Sequence, residues 1–170
     1  MTNDIMEIEL KDGTVKIALL PEVAPNHVKR IKKLVKDGRY NRVAFHRVID
    51  GFMAQTGDVK HGNLEKGWNK NLVGTGGSDE PDLEAEFSNL PFDRGTLGMA
   101  RSQNPNSANS QFFIMFKEGH FLNGQYTVFG HVIQGMEYVD KIKMGDSNNN
   151  GTVEDPDCML KVEIKEKQND

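Results

Sequence analysis

Apolar and polar residues alternate over two neighbouring stretches near the start of the chain. Every second position is apolar across 6–10 and again across 14–19, so each stretch presents one apolar side when extended. The intervening Lys11-Asp12-Gly13 has the composition of a tight turn. The sequence therefore predicts a β-hairpin at this point.

A helical pattern follows the hairpin. Pro25 suits the first position of a helix, and apolar residues recur at spacings of three and four as far as Val35. Basic residues lie on the opposite side of the predicted helix, and Gly38 is placed to end it. A second, shorter helix is predicted from about Met136 to Lys143 by the same spacing.

Most of the remaining periodic segments are strand-like. Two short runs in 45–56 are joined by Asp50-Gly51, a strong hairpin signal. Residues 57–94 show little periodicity, and so long an irregular stretch is typical of functional surface. About eight short strands and two helices predict a mainly-β domain spanning 1–170, a closed antiparallel β-barrel with helices over its open ends. The further strand-like segments are Thr96 to Ala100, Gln111 to Phe116, Thr127 to Ile133 and Met159 to Ile164.

Composition narrows the function classes. The 170 residues carry a net charge of −4, which argues against nucleic acid as a partner. The single Cys158 fits a reducing compartment, and we expect neither a signal peptide at the start nor a membrane span in the longest apolar run, 112–116. We therefore expect a cytoplasmic protein. A monomer is expected because no long apolar stripe indicates an obligate interface.

The hairpin at 45–58 carries an unusual combination of residues. Arg47 and Gln55 stand among Phe, Ile and Met residues, with no carboxylate, Cys or Ser placed as a nucleophile. A cation in an apolar wall suits a neutral, partly apolar ligand that needs one strong hydrogen-bond donor. Most hydrolytic chemistry is excluded by this arrangement.

Two further blocks, 99–114 and 121–130, share this mixed polar and apolar character. Together with 45–58, in this order, they resemble the cyclophilins, a family of peptidyl-prolyl cis-trans isomerases. The run Ala100-Arg101-Ser102-Gln103-Asn104-Pro105 is similar to the bacterial cytoplasmic branch. The resemblance covers nearly the whole chain, and it implies an eight-stranded antiparallel β-barrel capped by two α-helices, with the site on its outer face.

The resemblance also implies an activity and a set of site residues. The activity is rotation of X-Pro bonds in peptides and in unfolded or flexible protein segments, which assists protein folding and needs no cofactor or metal. The family's catalytic positions fall on Arg47, Phe52 and Gln55, and its apolar proline pocket falls on Phe52, Met53, Phe113 and Leu122. Substrate contacts fall on His46, Ile49, Met53, Ala100, Arg101, Ser102, Gln111, Phe113, Phe121, Leu122 and Tyr126.

Three positions depart from patterns common in the family. Tyr126 stands where many members have His, and Phe121 stands where cyclosporin-sensitive members have Trp. Losing an indole removes a hydrogen-bond donor and contact area, so only weak cyclosporin binding is expected. Arg101 differs from the eukaryotic members and is placed to alter the preference for residues before proline.

Several residues have competing interpretations. Strand alternation places Phe112 in the core when Phe113 faces the pocket. His46 neighbours Arg47 on the predicted strand, so a structural role is as well supported as a site role. The remaining histidines, His27, His61, His120 and His131, show no metal-ligand spacing and are expected to be surface or structural.

Three other motifs suggest different functions. Gly74-Thr75-Gly76-Gly77 lacks the ending of a phosphate loop and is followed by acids, which favours an ordinary loop in which Thr75 borders the groove. The acids from Asp79 to Glu86 fit a solvated surface better than a catalytic carboxylate pair. Asp146-Ser147-Asn148-Asn149-Asn150-Gly151 matches the first half of an EF-hand loop, with Asp157 at the twelfth position. Pro156 and the strand-like segment after it favour an Asn/Gly turn instead.

Two alternative functions therefore stay open beside the isomerase. One is a peptide-binding module or holdase that uses the same groove, with turnover incidental. The other is a calcium-dependent binding protein built on 146–157.

Overall fold

The computed structural model describes residues 4–166, so the two ends of the predicted 1–170 domain, including Met1-Thr2-Asn3, lie outside the described residues. Ten strands form two sheets in this part of the chain. In chain order, the strands are β1 (Ile5–Glu9), β2 (Thr14–Leu19), β3 (Val43–Ala44), β4 (Arg47–Ile49), β5 (Met53–Thr56), β6 (Thr96–Met99), β7 (Phe112–Met115), β8 (Val128–Gln134), β9 (Cys158–Met159) and β10 (Lys161–Lys165).

The larger sheet confirms the predicted eight-stranded antiparallel architecture. Its order is β10-β1-β2-β8-β6-β7-β5-β4, and all of its pairings are antiparallel. Its edge strands β10 and β4 are not paired with each other, so the closure is less complete than predicted. The two edge strands are connected through the two-stranded sheet of β3 and β9, because β3 precedes β4 along the chain and β9 precedes β10.

The sheet has two apolar faces over β5 and β7. Phe112 and Ile114 belong to the main core, whereas Phe113 and Met115 belong to a second, smaller cluster. The predicted alternation at Phe112 and Phe113 is therefore confirmed. Phe112 meets Tyr40 and Phe129 edge-on in the main core, with ring centroids 5.5 and 5.8 Å apart.

Helix α1 (Pro25–Lys36) packs on the main core through Val28, Ile31 and Leu34. Gly38 follows it with φ of +73°, as predicted for a helix-ending glycine. The expectation that all of its basic residues face away from the core is wrong for Arg30. Arg30 is buried because its guanidinium donates to the backbone carbonyls of Asn109 and Pro81, at 3.1 and 2.5 Å.

The start of α1 is capped by a residue distant in sequence. Ala24 at the N-cap position provides no side-chain hydrogen bond, but Glu86 accepts from the backbone N–H groups of Asn26 and His27, at 3.2 and 2.9 Å. Glu86 also contacts the buried His27 ring at 2.5 Å. The expectation that the acids of 79–86 form a purely solvated surface is therefore wrong at Glu86, because it satisfies exposed helical donors.

The second helix is shorter than predicted. It spans Met136–Val139 (α2), with Asp140 at its end, and two turn-like bonds continue the chain to Ile142. Val139 and Ile142 are buried in the main core as the spacing predicted. Within residues 4–166, no helix is both long and apolar enough to cross a membrane.

The irregular segment after β5 is organised by Asp58, whose side chain is fully buried. One carboxylate oxygen accepts from the backbone N–H groups of Lys60 and His61, both at 3.0 Å. The other accepts from Gly74 and Gly76, at 2.8 and 3.0 Å. This carboxylate therefore folds residues 58–76 back on themselves and places 74–76 beside the groove described below.

Candidate active site

A cavity of about 630 Å³ opens on the outer face of the sheet, over the smaller apolar cluster. Its wall combines side chains of β4, β5 and β7 with residues from four other parts of the chain, 70–75, 100–101, 121–126 and 150–152. None of the described residues that line it is acidic or a cysteine. The lining residues are His46, Arg47, Phe52, Met53, Gln55, Lys70, Asn71, Val73, Gly74, Thr75, Ala100, Arg101, Phe113, Phe121, Leu122, Tyr126, Asn150 and Thr152.

One side of the cavity is apolar. Met53, Phe113 and Leu122 line it while remaining almost fully buried. The Phe113 ring is held between Phe92, stacked at 5.8 Å, and Tyr126, edge-on at 5.8 Å. Because these rings are packed from behind, the apolar wall is preformed and suits a small apolar group.

Two further aromatic residues form the outer rim. The rings of Phe52 and Phe121 lie 5.6 Å apart, and Phe121 is 72% exposed. So large an exposed ring beside an apolar cavity offers contact area to a ligand.

Arg47 places a positive charge on the side of the cavity opposite the apolar wall. Its Nε donates to the backbone carbonyl of Asn150 at 3.0 Å, and Nη2 donates to the Asn150 side-chain oxygen at 3.1 Å. Nη1 donates to Gln55 Oε1 at 3.0 Å. A guanidinium has five N–H donors, so two of them have no acceptor among the described residues. Partial burial lowers the pKa of Arg47, and a negative charge on Tyr126 would oppose that shift.

A chain of side-chain amides continues from Arg47. Gln55 Nε2 donates to Gln111 Oε1 at 3.0 Å, and Gln111 Nε2 donates to the Gly76 carbonyl at 2.9 Å. Gly76 is itself held by Asp58 through its backbone N–H. The orientation of Arg47 therefore depends on a hydrogen-bonded chain that reaches the buried Asp58.

A second cavity of about 480 Å³ adjoins the first and shares five lining residues with it: Gln55, Gly74, Thr75, Ala100 and Arg101. Arg101, in the shared wall, lies over an aromatic ring of the first cavity: its guanidinium carbon is 4.4 Å from the Tyr126 ring centroid. Arg101 also donates twice to the Gln125 carbonyl, at 3.2 and 2.6 Å. The two cavities together form a continuous groove that can hold an extended peptide.

His46 borders the first cavity but is 7% exposed, and neither ring nitrogen has a hydrogen-bond partner within residues 4–166. Burial lowers its pKa to about 4, against a smaller opposing effect of the Asp58 charge. His46 is therefore neutral at physiological pH.

The lowered pKa of His46 predicts a pH-dependent stability. The unfolded chain binds a proton near pH 6.5, whereas the folded protein does so only near pH 4. Stability is therefore fully present above about pH 6.5 and falls as the pH drops towards 4, by up to about 3 kcal/mol at 1.4 kcal/mol per pKa unit. Urea unfolding of wild type and His46→Phe across this range measures the difference; equal pH slopes in the two proteins would contradict it.

The sequence-predicted residues come together with one exception. Eleven of the fourteen line the first cavity, and Ser102 and Gln111 line the second. Ile49 lines neither, because it packs beside the apolar cluster and against the loop at Gly151. The sequence interpretation missed Asn150 and Thr152 from the turn, and Lys70 and Asn71 from the irregular segment.

Key residues of the two competing motifs, 74–77 and 146–157, form hydrogen bonds or ion pairs with other parts of the protein. The N–H groups of Gly74 and Gly76, which a phosphate loop would need, are bonded to Asp58. Asp146 accepts from the backbone N–H of Asn148 at 2.9 Å, and Asp157 pairs with Lys11. The proposed first and twelfth calcium ligands therefore have separate protein partners, and β9 stands where an EF-hand would have a helix.

The protein is a mainly-β domain whose curled antiparallel sheet carries a surface groove, in which Arg47 faces an apolar wall. Comparison with known proteins assigns the family. Residues 5–164 match the model of the family described as cyclophilin type peptidyl-prolyl cis-trans isomerase/CLD. The chain belongs to this family of isomerases.

Relatives and solved structures agree with this assignment. The chain is 65% identical over 158 residues to a probable peptidyl-prolyl cis-trans isomerase of Brucella suis, covering 93% of this chain and 81% of the relative. It is 39% identical over 139 residues to peptidyl-prolyl cis-trans isomerase B of Escherichia coli, covering 77% and 79%. The crystal structure of a Hirschia baltica cyclophilin matches with a TM-score of 0.77 and 26% identity, covering 93% of this chain and 72% of that one.

A Cryptosporidium parvum cyclophilin-type isomerase, crystallised in the presence of the dipeptide Ala-Pro, matches with a TM-score of 0.80 and 28% identity. The match covers 96% of this chain and 99% of that one.

Proposed function

We propose that this protein catalyses cis-trans rotation of X-Pro bonds, with Arg47 stabilising the twisted amide nitrogen while the proline ring lies against Met53, Phe113 and Leu122. The hydrogen bonding of Arg47 is the main support for this function. Its guanidinium is held by Asn150 and Gln55 beside an apolar cavity, with two N–H donors left unpaired among the described residues.

The chemistry of the bond explains why one donor suffices. Rotation breaks amide resonance and meets a barrier of roughly 18–20 kcal/mol. At the twisted transition state the proline nitrogen regains a lone pair and becomes a hydrogen-bond acceptor, which it is not in the planar ground state. A donor aimed at that nitrogen therefore stabilises the transition state selectively. No nucleophile or proton transfer is required.

The expected size of this effect is limited. A hydrogen bond from a charged donor contributes about 1.5–3 kcal/mol net, which corresponds to roughly one to two decades in rate. The apolar wall should lower the barrier to rotation further. The planar amide is the more charge-separated form, so transfer from water to an apolar surface favours the twisted form.

The proposed substrates are proline-containing peptides and unfolded or flexible protein segments. The Ala-Pro dipeptide present with the related Cryptosporidium parvum protein supports proline as the recognised residue. The groove is open along the surface, which supports an extended polypeptide as the ligand. By this activity the protein would assist folding, since uncatalysed X-Pro rotation takes tens to hundreds of seconds.

Exchange NMR on a short Xaa-Pro peptide tests the proposal. We expect catalytic amounts of the protein to accelerate cis-trans exchange, with a rate that saturates as the peptide concentration rises. Saturable binding without faster exchange would overturn the isomerase proposal and support the peptide-binding module or holdase.

Cyclosporin is proposed to bind weakly, because Phe121 replaces the tryptophan of sensitive family members. Phe121→Trp is expected to tighten binding, since the indole adds an N–H donor and contact area at a 72% exposed position. Titration calorimetry of wild type and variant, with Phe87→Trp as an exposed control, measures the effect. Equal cyclosporin affinity in all three proteins would contradict it.

We further propose a single-domain monomer working in the cytoplasm. The family match over 5–164 supports one domain, and the single Cys158 fits a reducing compartment. Sedimentation velocity at micromolar concentration tests the monomer, and a concentration-dependent dimer would contradict it.

A further inference from the structure

The turn after α2 supplies two acceptors to Arg47 from a single residue. Asn150 accepts from Nε through its backbone carbonyl at 3.0 Å and from Nη2 through its side-chain oxygen at 3.1 Å. These two donors lie on one edge of the planar guanidinium, and Gln55 accepts from Nη1. The guanidinium is therefore gripped from two sides, and its two unpaired donors have a defined direction.

We propose that Asn150 is a positioning residue for Arg47: it fixes the guanidinium so that a free N–H points at the isomerising amide. This inference rests on the proposed isomerase function and assigns a role to the turn that resembles half of an EF-hand. Asn150 acts through Arg47 and need not touch the substrate.

The backbone conformation at Asn150 favours this role. Its φ is +54°, in the left-handed region that asparagine, aspartate and glycine tolerate best. That conformation aims the carbonyl and the short side chain at the same guanidinium edge. A longer or β-branched residue would have to leave this conformation or lose the side-chain contact.

The turn is itself fixed against β4. The Asp146 carbonyl accepts from the backbone N–H groups of Asn149 and Gly151, both at 2.9 Å. Gly151 in turn accepts from Val48 N–H at 2.9 Å, on the strand that carries Arg47. A Cβ on Gly151 would lie 2.6 Å from Ile49 Cγ1, so the turn lies tightly on β4. Asn150 is therefore held by the same strand as the arginine that it contacts.

Two substitutions separate the side-chain contact from the backbone conformation. Asn150→Gly keeps the left-handed backbone and the carbonyl acceptor but removes the side-chain oxygen. Asn150→Asp keeps an acceptor at that position. Asn149→Gly is the matched control, since it adds a glycine to the same turn without removing an acceptor of Arg47.

Exchange NMR under saturating and limiting peptide gives kcat and KM for each variant. We expect Asn150→Gly to lower kcat by about three- to tenfold with KM changed by less than about twofold, because the lost contact orients a group used in the transition state. Asn150→Asp should recover most of this loss, and Asn149→Gly should match wild type.

A direct readout of Arg47 distinguishes positioning from stability. In wild type, its side-chain N–H resonances should be resolved at low temperature because two bonds on one edge hinder rotation. They should average in Asn150→Gly and stay resolved in Asn149→Gly. A lower melting temperature alone would not produce this pattern.

The outcomes also separate this inference from the proposed function. Wild type that fails to accelerate exchange would overturn the isomerase proposal itself. Active wild type, together with Asn150→Gly that keeps the wild-type kcat and resolved Arg47 resonances, would overturn the positioning role alone.

Discussion

Replacing Arg47 with alanine is expected to lower kcat/KM for an Xaa-Pro peptide by roughly ten- to a hundredfold. This range follows from the about 1.5–3 kcal/mol contributed by a hydrogen bond to a charged donor. Peptide affinity should change little, because the apolar wall formed by Met53, Phe113 and Leu122 remains in place. The loss should therefore appear in kcat rather than in KM.

Two controls sharpen the Arg47 prediction. Arg47→Lys keeps the charge but loses the planar fork held by Asn150 and Gln55, so it should recover only part of the activity. Arg94→Ala removes another guanidinium, one that pairs with Asp140 away from the groove, and should leave kcat/KM unchanged. A loss confined to KM in Arg47→Ala would show that Arg47 contributes ground-state binding instead.

The largest expected effect on stability is at Asp58. Its carboxylate is fully buried and accepts from four backbone N–H groups, two on each oxygen. In Asp58→Asn, one carboxylate oxygen is replaced by an amide NH₂ group. This group cannot accept the two N–H hydrogen bonds made at that position. Losing two charge-assisted hydrogen bonds is expected to cost about 3–6 kcal/mol in the free energy of unfolding.

The Asp58 substitution should also disturb the hydrogen bonds that orient Arg47. Once Gly76 is released, its carbonyl no longer holds Gln111, and the amide chain to Arg47 loosens. Urea unfolding gives the stability, and hydrogen exchange at Gly74 and Gly76 reports the local release. Asp79→Asn is the control, since Asp79 is an exposed acid in the same irregular segment. Equal stability of Asp58→Asn and wild type would contradict the organising role.

The local sequence pattern alone predicts the strands and the turn that position Arg47, Gln55 and the apolar wall. The Asp50-Gly51 turn pairs Arg47 with Gln55, and strand alternation separates Phe113 from Phe112. Both patterns work because side chains in a strand alternate between faces and because few residues fit a tight hairpin turn. The family resemblance added the residues distant in sequence.

Contacts between residues far apart along the chain could not be predicted from local sequence patterns. Asp58 lies in an aperiodic segment, and its role depends on backbone donors up to 18 residues away. Asn150 looked like an ordinary turn residue, because its partner Arg47 precedes it by 103 positions. The burial of Arg30 departs from the pattern of α1 for the same reason: its acceptors, the carbonyls of Pro81 and Asn109, belong to two loops outside the helix.

Arg47 is proposed to stabilise the twisted amide rather than the bound peptide. The most direct test measures the cis-trans interconversion rate of an Xaa-Pro peptide while it is bound, separately from its dissociation constant, in wild type and Arg47→Ala. We expect an on-enzyme rate at least about tenfold lower in the variant, with the dissociation constant within about threefold of wild type. An unchanged on-enzyme rate with weakened binding would contradict it.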